Sequence, residues 1–230
     1  MKMKVVVLTG AGISAESGLK TFRDSNGLWE EYNIEEVATY DGWVRNPHLV
    51  MEFYNKRRSQ LGGVQPNAAH KALALLETKF DVHIITQNVD DLHERGGSTT
   101  ITHLHGELTK VRSVRYPELI YSIGYKDIKL GDLCEKGEQL RPHIVWFGEA
   151  VPLIEYAAQI VEKADILLII GTSLQVYPAA GLIHYAPSNC KVYLIDPQAE
   201  DHSGNPNIVL MKEKAGTAVP PLVKELLENY

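Results

Sequence analysis

The stretch VVVLTGAGISAESG, residues 5–18, runs from an uninterrupted apolar segment into Gly10-Ala11-Gly12-Ile13-Ser14-Ala15. Val5 to Leu8 carries no polar residue, the pattern of a strand buried on both faces of a parallel sheet. The G-x-G-x-x-A turn after it matches the strand-to-helix turn through which backbone amides and a helix N-terminus approach a pyrophosphate. Glycine-rich turns also serve close packing alone, so the rest of the chain has to decide between the two uses. A plain dinucleotide-binding unit would supply its second strand after one short helix. Here the next clear strand is VHIIT at 82–86, and the intervening residues need another explanation.

Working outward, runs rich in Val, Ile and Leu recur at 4–9, 82–86, 166–171, 191–196 and 207–211. Helical spacing fills the gaps: Ala69, Leu73, Leu76 and Phe80 within 66–79, a similar pattern over 151–163, and an amphipathic end over 219–227 with Pro220 and Pro221 in its first turn. The alternation predicts an α/β, doubly wound parallel sheet. Two stretches interrupt it. Residues 26–65 read as helical, with Asn46-Pro47 as N-cap and first-turn proline and Gly62-Gly63 as the stop. Residues 107–142 carry glycines, prolines and tyrosines without a clear period and read as an irregular small lobe.

Composition sets outer limits. At 230 residues, 44% hydrophobic and 23% charged, the chain is long enough for one good core and a small second lobe. The net charge of −6 argues against a nucleic-acid partner. Cys134 and Cys190 are the only cysteines and have no metal-ligand spacing, so neither a disulfide framework nor a thiolate metal site is indicated. The apolar run after MKMK is too short for a signal-peptide core, and no stretch approaches transmembrane length, so a cytoplasmic protein without membrane partners is expected.

Polar residues gather at the strand ends, where the side chains of an open α/β sheet line the ligand crevice. After the first strand, Ser17-Gly18 and Thr21-Phe22-Arg23 place hydroxyls and a guanidinium near any phosphate at the turn; taken alone, Arg23 is a solvated loop charge. After 82–86, Gln87, Asn88 and Asp90 offer amide and carboxylate groups able to hold a carboxamide and a ribose, although Asp90 also suits a helix cap. In THLHGE, residues 102–107, His103 and His105 would share a strand face as a metal pair, but no third ligand is evident. His105, directly before Gly106, has the near-neutral pKa of a general base; the plain alternative is a structural histidine. Gly171-Thr172-Ser173 end another strand, and Asp196 ends the next, where a carboxylate accepts from ribose hydroxyls. Ala215-Gly216 follow the last strand and leave room for a base.

The ordered set GAGISAESG, TFR, QNVD, HLHG, IVWFGE, GTS and KAG spans nearly the whole chain and resembles the sirtuins, NAD-dependent protein lysine deacylases. The resemblance implies a Rossmann-like domain from 1–25, 66–106 and 143–230, with a small lobe from 26–65 and 107–142. It implies NAD as a consumed co-substrate, adding Ala11, Ser14, Glu16, Trp29, Val89, Pro197 and Gln198 to the contacts already named. Asn88 and Asp90 would orient carboxamide and ribose while the acyl-lysine oxygen displaces nicotinamide. His105 would take a proton from a ribose hydroxyl, and deacylated lysine and O-acyl-ADP-ribose would be the products. Val145, Phe147 and Gly148 in VWFGE would pair with an extended acyl-lysine peptide as an added strand. A catalytically weak reader of NAD and acyl-lysine, or a protein ADP-ribosyltransferase, is the alternative.

Two further expectations follow from the resemblance. In EFYNKRR, Tyr54 and Arg57 lie three apart on one helix face and by themselves read as an amphipathic tyrosine and a solvated arginine. A Tyr-x-x-Arg pair here marks the sirtuin branch that removes succinyl, malonyl and related acidic acyl groups. Sirtuins also usually hold a structural zinc with two cysteine pairs, whereas here Ser113 stands near the first expected cysteine and Cys134 is a single thiol. No zinc is expected, and the lobe should fold around Tyr116, Leu119, Ile120, Tyr121, Ile123 and Tyr125.

Overall fold

The computed structural model describes residues 2–20, 28–29, 32–200 and 207–230, with 28–29 as backbone only. Thr21, Phe22, Arg23 and the Trp29 side chain therefore lie outside the described residues. From the N-terminus the elements are β1 (Lys4–Thr9), α1 (Gly12–Ala15), the short hairpin β2 (Leu28–Trp29) and β3 (Tyr32–Asn33), α2 (Ile34–Val37), α3 (Tyr40–Arg45), α4 (Pro47–Gly63) and α5 (Ala68–Leu76). Then come β4 (Asp81–Thr86), α6 (Leu92–Gly96), β5 (Ile101–His103), β6 (Gly106–Ser113), β7 (Ile120–Ser122) and β8 (Leu140–Ile144). The chain closes with α7 (Ile154–Val161), β9 (Ile166–Ile170), β10 (Lys191–Ile195), β11 (Ile208–Met211) and α8 (Ala215–Asn229).

Six strands form a parallel sheet in the order β11-β10-β9-β1-β4-β5. Alternate side chains of each strand serve opposite cores. Val5, Val7, Ile84 and Leu168 pack with residues of α5 and α8, while Val6, Leu8, Ile85, Leu167 and Ile169 pack with α7 and the 3₁₀ segment Ala179–Tyr185. Because the chain leaves β1 toward β4 and returns on its other side at β9, the crevice above the ends of β1 and β9 is the topological switch point. That position brings the Gly10–Gly12 turn against Gly171.

Helix α8 begins at Ala215, four residues before the expected start, so Pro220 and Pro221 fall in its second turn. The cause lies 200 residues away. The Glu16 carboxylate accepts the Gly216 N–H at 2.6 Å, capping a helix whose own N-cap, Lys214, provides no side-chain bond.

The segment 107–142 is irregular over 114–119 and 123–139, but it also holds a three-stranded sheet in which β6 pairs antiparallel with β7 and β8. Its alternation is hard to see in sequence because the β6–β8 register shifts between Gly106 and Val111, interrupting the period of two. The lobe core matches expectation in part: Tyr121 and Ile123 pack against it, but its centre lies elsewhere. Leu108, Val111, Ile128, Ile144 and Trp146 pack against Phe53, Tyr54 and Leu61 of α4, while Ile120 and Tyr125 are exposed. At the two positions where the resemblance leads one to expect zinc ligands, Ser113 Oγ accepts from the Tyr116 N–H at 3.2 Å and from the Cys134 thiol at 3.5 Å. The Lys136 ammonium lies 4.1 Å from the centre of the Tyr116 ring.

The two insertions are joined through α4. Arg58, fully buried, donates from Nε to the Leu108 carbonyl at 2.6 Å and from Nη1 to Asn55 Oδ1 at 2.7 Å. Asn55 in turn exchanges both its amide groups with the backbone of Ile128. Burial pulls the Arg58 pKa down to about 10, so the guanidinium remains charged at neutral pH and its carbonyl and amide acceptors are integral to the lobe. Arg58→Ala should cost about 2–5 kcal/mol, visible as a lower urea midpoint, because it removes charged hydrogen bonds and leaves their buried acceptors unmatched. Among the described residues, no helix is long and apolar enough to cross a membrane.

Candidate active site

The glycines of the opening stretch are set by loop packing at the switch point. A Cβ on Gly12 would sit 2.7 Å from the Gly171 Cα, and one on Gly10 would sit 2.8 Å from the Gly171 carbonyl oxygen. The Gly12 N–H donates to that same oxygen at 2.8 Å, while Gly10, Ile13 and Ser14 N–H groups bond to Ile170, Gly10 and Ala11 carbonyls. Helix α1 is a single turn, Gly12–Ala15, and no strand of the parallel sheet follows it until β4. Glycine at 10, 12 and 171 thus lets two strand-end loops touch and form a continuous floor, with half-buried Ala11 between them.

Above this floor a hydrogen-bonded chain links three of the expected residues. Asn88 Nδ2 donates to Ser14 Oγ at 3.2 Å, and the Ser14 hydroxyl donates to Asp90 Oδ2 at 3.0 Å. Asn88 and Asp90 are buried at the end of β4, held there because the Asn88 N–H is taken by Thr86 Oγ1. Asp90 does cap as well: its Oδ1 accepts from the Leu92 N–H at 3.1 Å, so one oxygen starts α6 while the other faces Ser14. Burial pushes its carboxyl pKa up, opposed by the Leu92 and Ser14 bonds. Asn88 Oδ1 accepts from no group among the described residues and is left for a ligand donor.

Sequence reasoning missed the support beneath this chain. His70 and His93, both fully buried, meet edge to face with ring centres 5.0 Å apart. His70 Nε2 lies 3.4 Å from Ser14 Oγ, and His93 Nε2 lies 3.0 Å from Thr9 Oγ1, whose own hydroxyl donates to Thr86. As Ser14 and Thr9 already donate elsewhere, both histidines donate from Nε2 as neutral rings. Burial lowers the His70 pKa to about 4 and that of His93 well below its usual range. His93 lies five residues beyond Asn88, on the helix that Asp90 starts; His70 gives no sign in a helix of alanines and leucines.

His105 lies in the turn between β5 and β6, half-buried. Its Nδ1–H donates to the Gln87 carbonyl at 3.0 Å, which leaves the lone pair on Nε2. Burial lowers its pKa, and the Gln87 carbonyl partly opposes the shift. Among the described residues, His103 does not pair with His105 in the group that could hold a metal ion. β5 ends at His103, whose ring bonds the Asn88 carbonyl at 3.1 Å and Glu94 at 2.7 Å. Fold rather than sequence supplies the missing third ligand type, because Glu94 and Glu107 converge on His103 closely enough to suit a metal ion. Their charges are already matched within the chain, Glu94 by His103 and Glu107 by Lys110 at 2.7 Å.

The remaining expected residues divide. Gln87 reaches Thr172 Oγ1 at 3.4 Å, and buried Thr172 follows Gly171 at the floor, with Ser173 half-buried beside it in sequence. Asp196 is buried and takes the Gln198 N–H at 2.9 Å, while Pro197 and Gln198 are exposed; Ala215 is buried at the start of α8. Half-buried Val89 gives its carbonyl to the Leu108 N–H. Glu16 is committed to α8, as described. On the other side of His105, the Val145 N–H donates to the His105 carbonyl at 2.9 Å, and the Phe147 N–H donates to the Ala38 carbonyl at 2.9 Å. The Trp146 N–H goes to the Glu149 carboxylate and the Glu149 N–H to the Trp146 carbonyl, so within 145–149 only the Gly148 N–H has no partner among the described residues. The Phe147 side chain is exposed, and Gly148 has φ +86°, which glycine tolerates.

Tyr54 and Arg57 are not on a solvated face. Tyr54 is 1% and Arg57 8% exposed, both turned into the lobe core, with the Arg57 guanidinium 5.7 Å from the Phe53 ring centre.

Comparison with known proteins gives this arrangement its relatives. Residues 10–178 match the model of the Sir2 family. Over 224 residues the chain is 56% identical to an NAD-dependent protein deacylase of Helicobacter pylori, covering 97% of each chain. Over 231 residues it is 56% identical to an NAD-dependent protein deacylase of Bacteroides thetaiotaomicron, again covering 97% of each. A crystal structure of a Sir2 homologue in complex with NAD superposes with a TM-score of 0.87 at 38% identity, covering 99% of this chain and 90% of that one. A six-stranded parallel sheet with a small lobe, a switch-point floor of three glycines, and matches that run through both together show that this chain belongs to the Sir2 family.

Proposed function

We propose that this protein, an NAD-dependent protein deacylase, removes succinyl and malonyl groups from protein lysines and acts on acetyl-lysine less efficiently. The observation that carries this reading is the burial of the Tyr54 hydroxyl and the Arg57 guanidinium on one face of α4. A guanidinium presents a planar fork of donors that matches a carboxylate, and the phenol one turn away on the same face adds a further donor. An acetyl group presents no such charge.

The residues at the switch point fit NAD: the glycine floor admits close approach, and Asn88, Asp90 and the carboxylate of Asp196 supply groups for an amide and two riboses. When bound, NAD supplies the nicotinamide leaving group and the ribose that receives the acyl group. Asn88 and Asp90 hold the substrate in place through the Ser14 relay, with the neutral His70 fixing the Ser14 hydroxyl. His105 is the base, taking a proton at Nε2 because Nδ1–H is committed to Gln87. The decisive experiment measures nicotinamide release and peptide products with matched succinyl-, malonyl-, acetyl- and unmodified lysine peptides. Succinyl and malonyl should give the higher kcat/KM. Release without any acyl group, together with labelled protein, would mean ADP-ribosyl transfer; no release would mean a reader.

The small lobe, on the same proposal, folds without structural zinc. One thiol, Cys134, and one hydroxyl, Ser113, do not make the four-ligand tetrahedral set that structural zinc needs, and they are already bonded to each other. Elemental analysis of the purified protein should find well under one equivalent of zinc, and excess chelator should leave its melting temperature and turnover unchanged. A tightly held equivalent would overturn this.

A further inference from the structure

Resting on the acidic-acyl reading above, we propose that Trp146 is a specificity-determining positioning residue: its indole N–H fixes the Tyr54 hydroxyl as a hydrogen-bond donor to the anionic end of the acyl chain. The two side chains come from different parts of the fold, α4 and the segment after β8. They meet in the lobe core, where Trp146 Nε1 lies 3.0 Å from the Tyr54 oxygen. An indole nitrogen only donates, so at this contact the phenol oxygen must accept. Its own proton is thereby turned to another direction, and among the described residues no group accepts it. A phenol that is 1% exposed and whose O–H is unused among the described residues is set to donate to a ligand. Arg57, three residues along the same face of α4, presents a guanidinium to the same region, which on the acidic-acyl reading suits an anionic acceptor. Burial, the largest influence on Tyr54, raises its pKa to about 12 and keeps the donor proton in place at any working pH.

Trp146 can impose this orientation because it cannot easily move. The Arg141 guanidinium stacks 3.4 Å from its ring centre and is itself held by Glu149 through two bonds of 2.7 and 3.1 Å. Glu149 also accepts the Trp146 backbone N–H at 2.8 Å, and Trp43 packs beside the indole with ring centres 5.7 Å apart. The flanking residues Val145 and Phe147 lie on the expected peptide edge. One rigid indole thus connects the backbone that receives the peptide with the floor that reads its acyl tail.

The test is a double-mutant cycle on the intact protein, scored as the ratio of kcat/KM for succinyl- over acetyl-lysine peptide. Any loss common to both substrates cancels in that ratio. Trp146→Phe keeps an aromatic ring and deletes the donor; it should lower the ratio about tenfold, mainly through a higher KM for the succinyl peptide. In a Tyr54→Phe background, the same change should leave the ratio where Tyr54→Phe has already put it. If Trp146→Phe fails to fold, β-(3-benzothienyl)alanine at position 146, which preserves the shape of the indole and lacks its N–H, is measured instead. An unchanged ratio, or an equal fall in both backgrounds, overturns the role of Trp146. Arg57→Met run in parallel separates the two failures: a ratio that collapses there leaves the acidic-acyl reading standing without Trp146, and a ratio that does not move removes both.

Discussion

Replacing His105 with alanine should reduce kcat for deacylation by about 10² to 10⁴ fold or more while NAD affinity changes little. The base contributes in the transition state, and none of the bonds that shape the glycine floor or the Asn88–Ser14–Asp90 relay passes through its side chain. Isothermal titration with NAD and single-turnover kinetics would separate the two effects; near-normal turnover in the variant would place the base elsewhere. The pH profile offers an independent check. Catalysis needs neutral Nε2, and burial lowers the His105 pKa from its ordinary 6.5. Activity should therefore hold as pH falls through neutrality, declining only below about pH 6.5 as Nε2 becomes protonated. His105→Ala should lose that acid limb along with its rate.

Arg57→Met should lower the succinyl-to-acetyl ratio of kcat/KM by roughly 10 to 10³ fold, since hydrogen bonds to a charged group contribute about 1.5–3 kcal/mol each. Methionine preserves most of the stem volume within the core of Phe53, Tyr54 and Leu61, so the fold should survive and the effect should fall on the anionic substrates. Succinyl-, malonyl- and acetyl-lysine peptides of one sequence would show it. Equal losses on all three would mean that Arg57 supports the lobe or the cofactor site instead of reading the acyl tail.

These expectations differ in how much of their basis was visible before folding. Residue types near the chemistry were legible, because strand ends of a parallel sheet are easily located and polar residues there stand out against Val, Ile and Leu. What each residue does was less so. Gly10 and Gly12 look like phosphate-loop glycines, yet the constraint on them comes from Gly171, across the sheet. Glu16 sits inside the same opening stretch, and its carboxylate serves the start of α8. The small-lobe sheet was hidden by a register shift that broke its alternation, and its core was placed only in part, Tyr121 and Ile123 packing against it while Ile120 and Tyr125 are exposed, because apolar or aromatic character does not tell which face of a strand is covered.

The sequence by itself determined the parallel sheet, its strand positions and the crevice end, since continuous apolar runs and helical periods are local properties of the chain. It also placed Tyr54 and Arg57 on one helix face. Only the tertiary structure decided that this face is buried, that Trp146 donates to Tyr54, that His70 underlies Ser14, and that Arg58 joins the two insertions. The last three are contacts between residues 50 or more positions apart, set by strand order and packing, for which no local pattern exists.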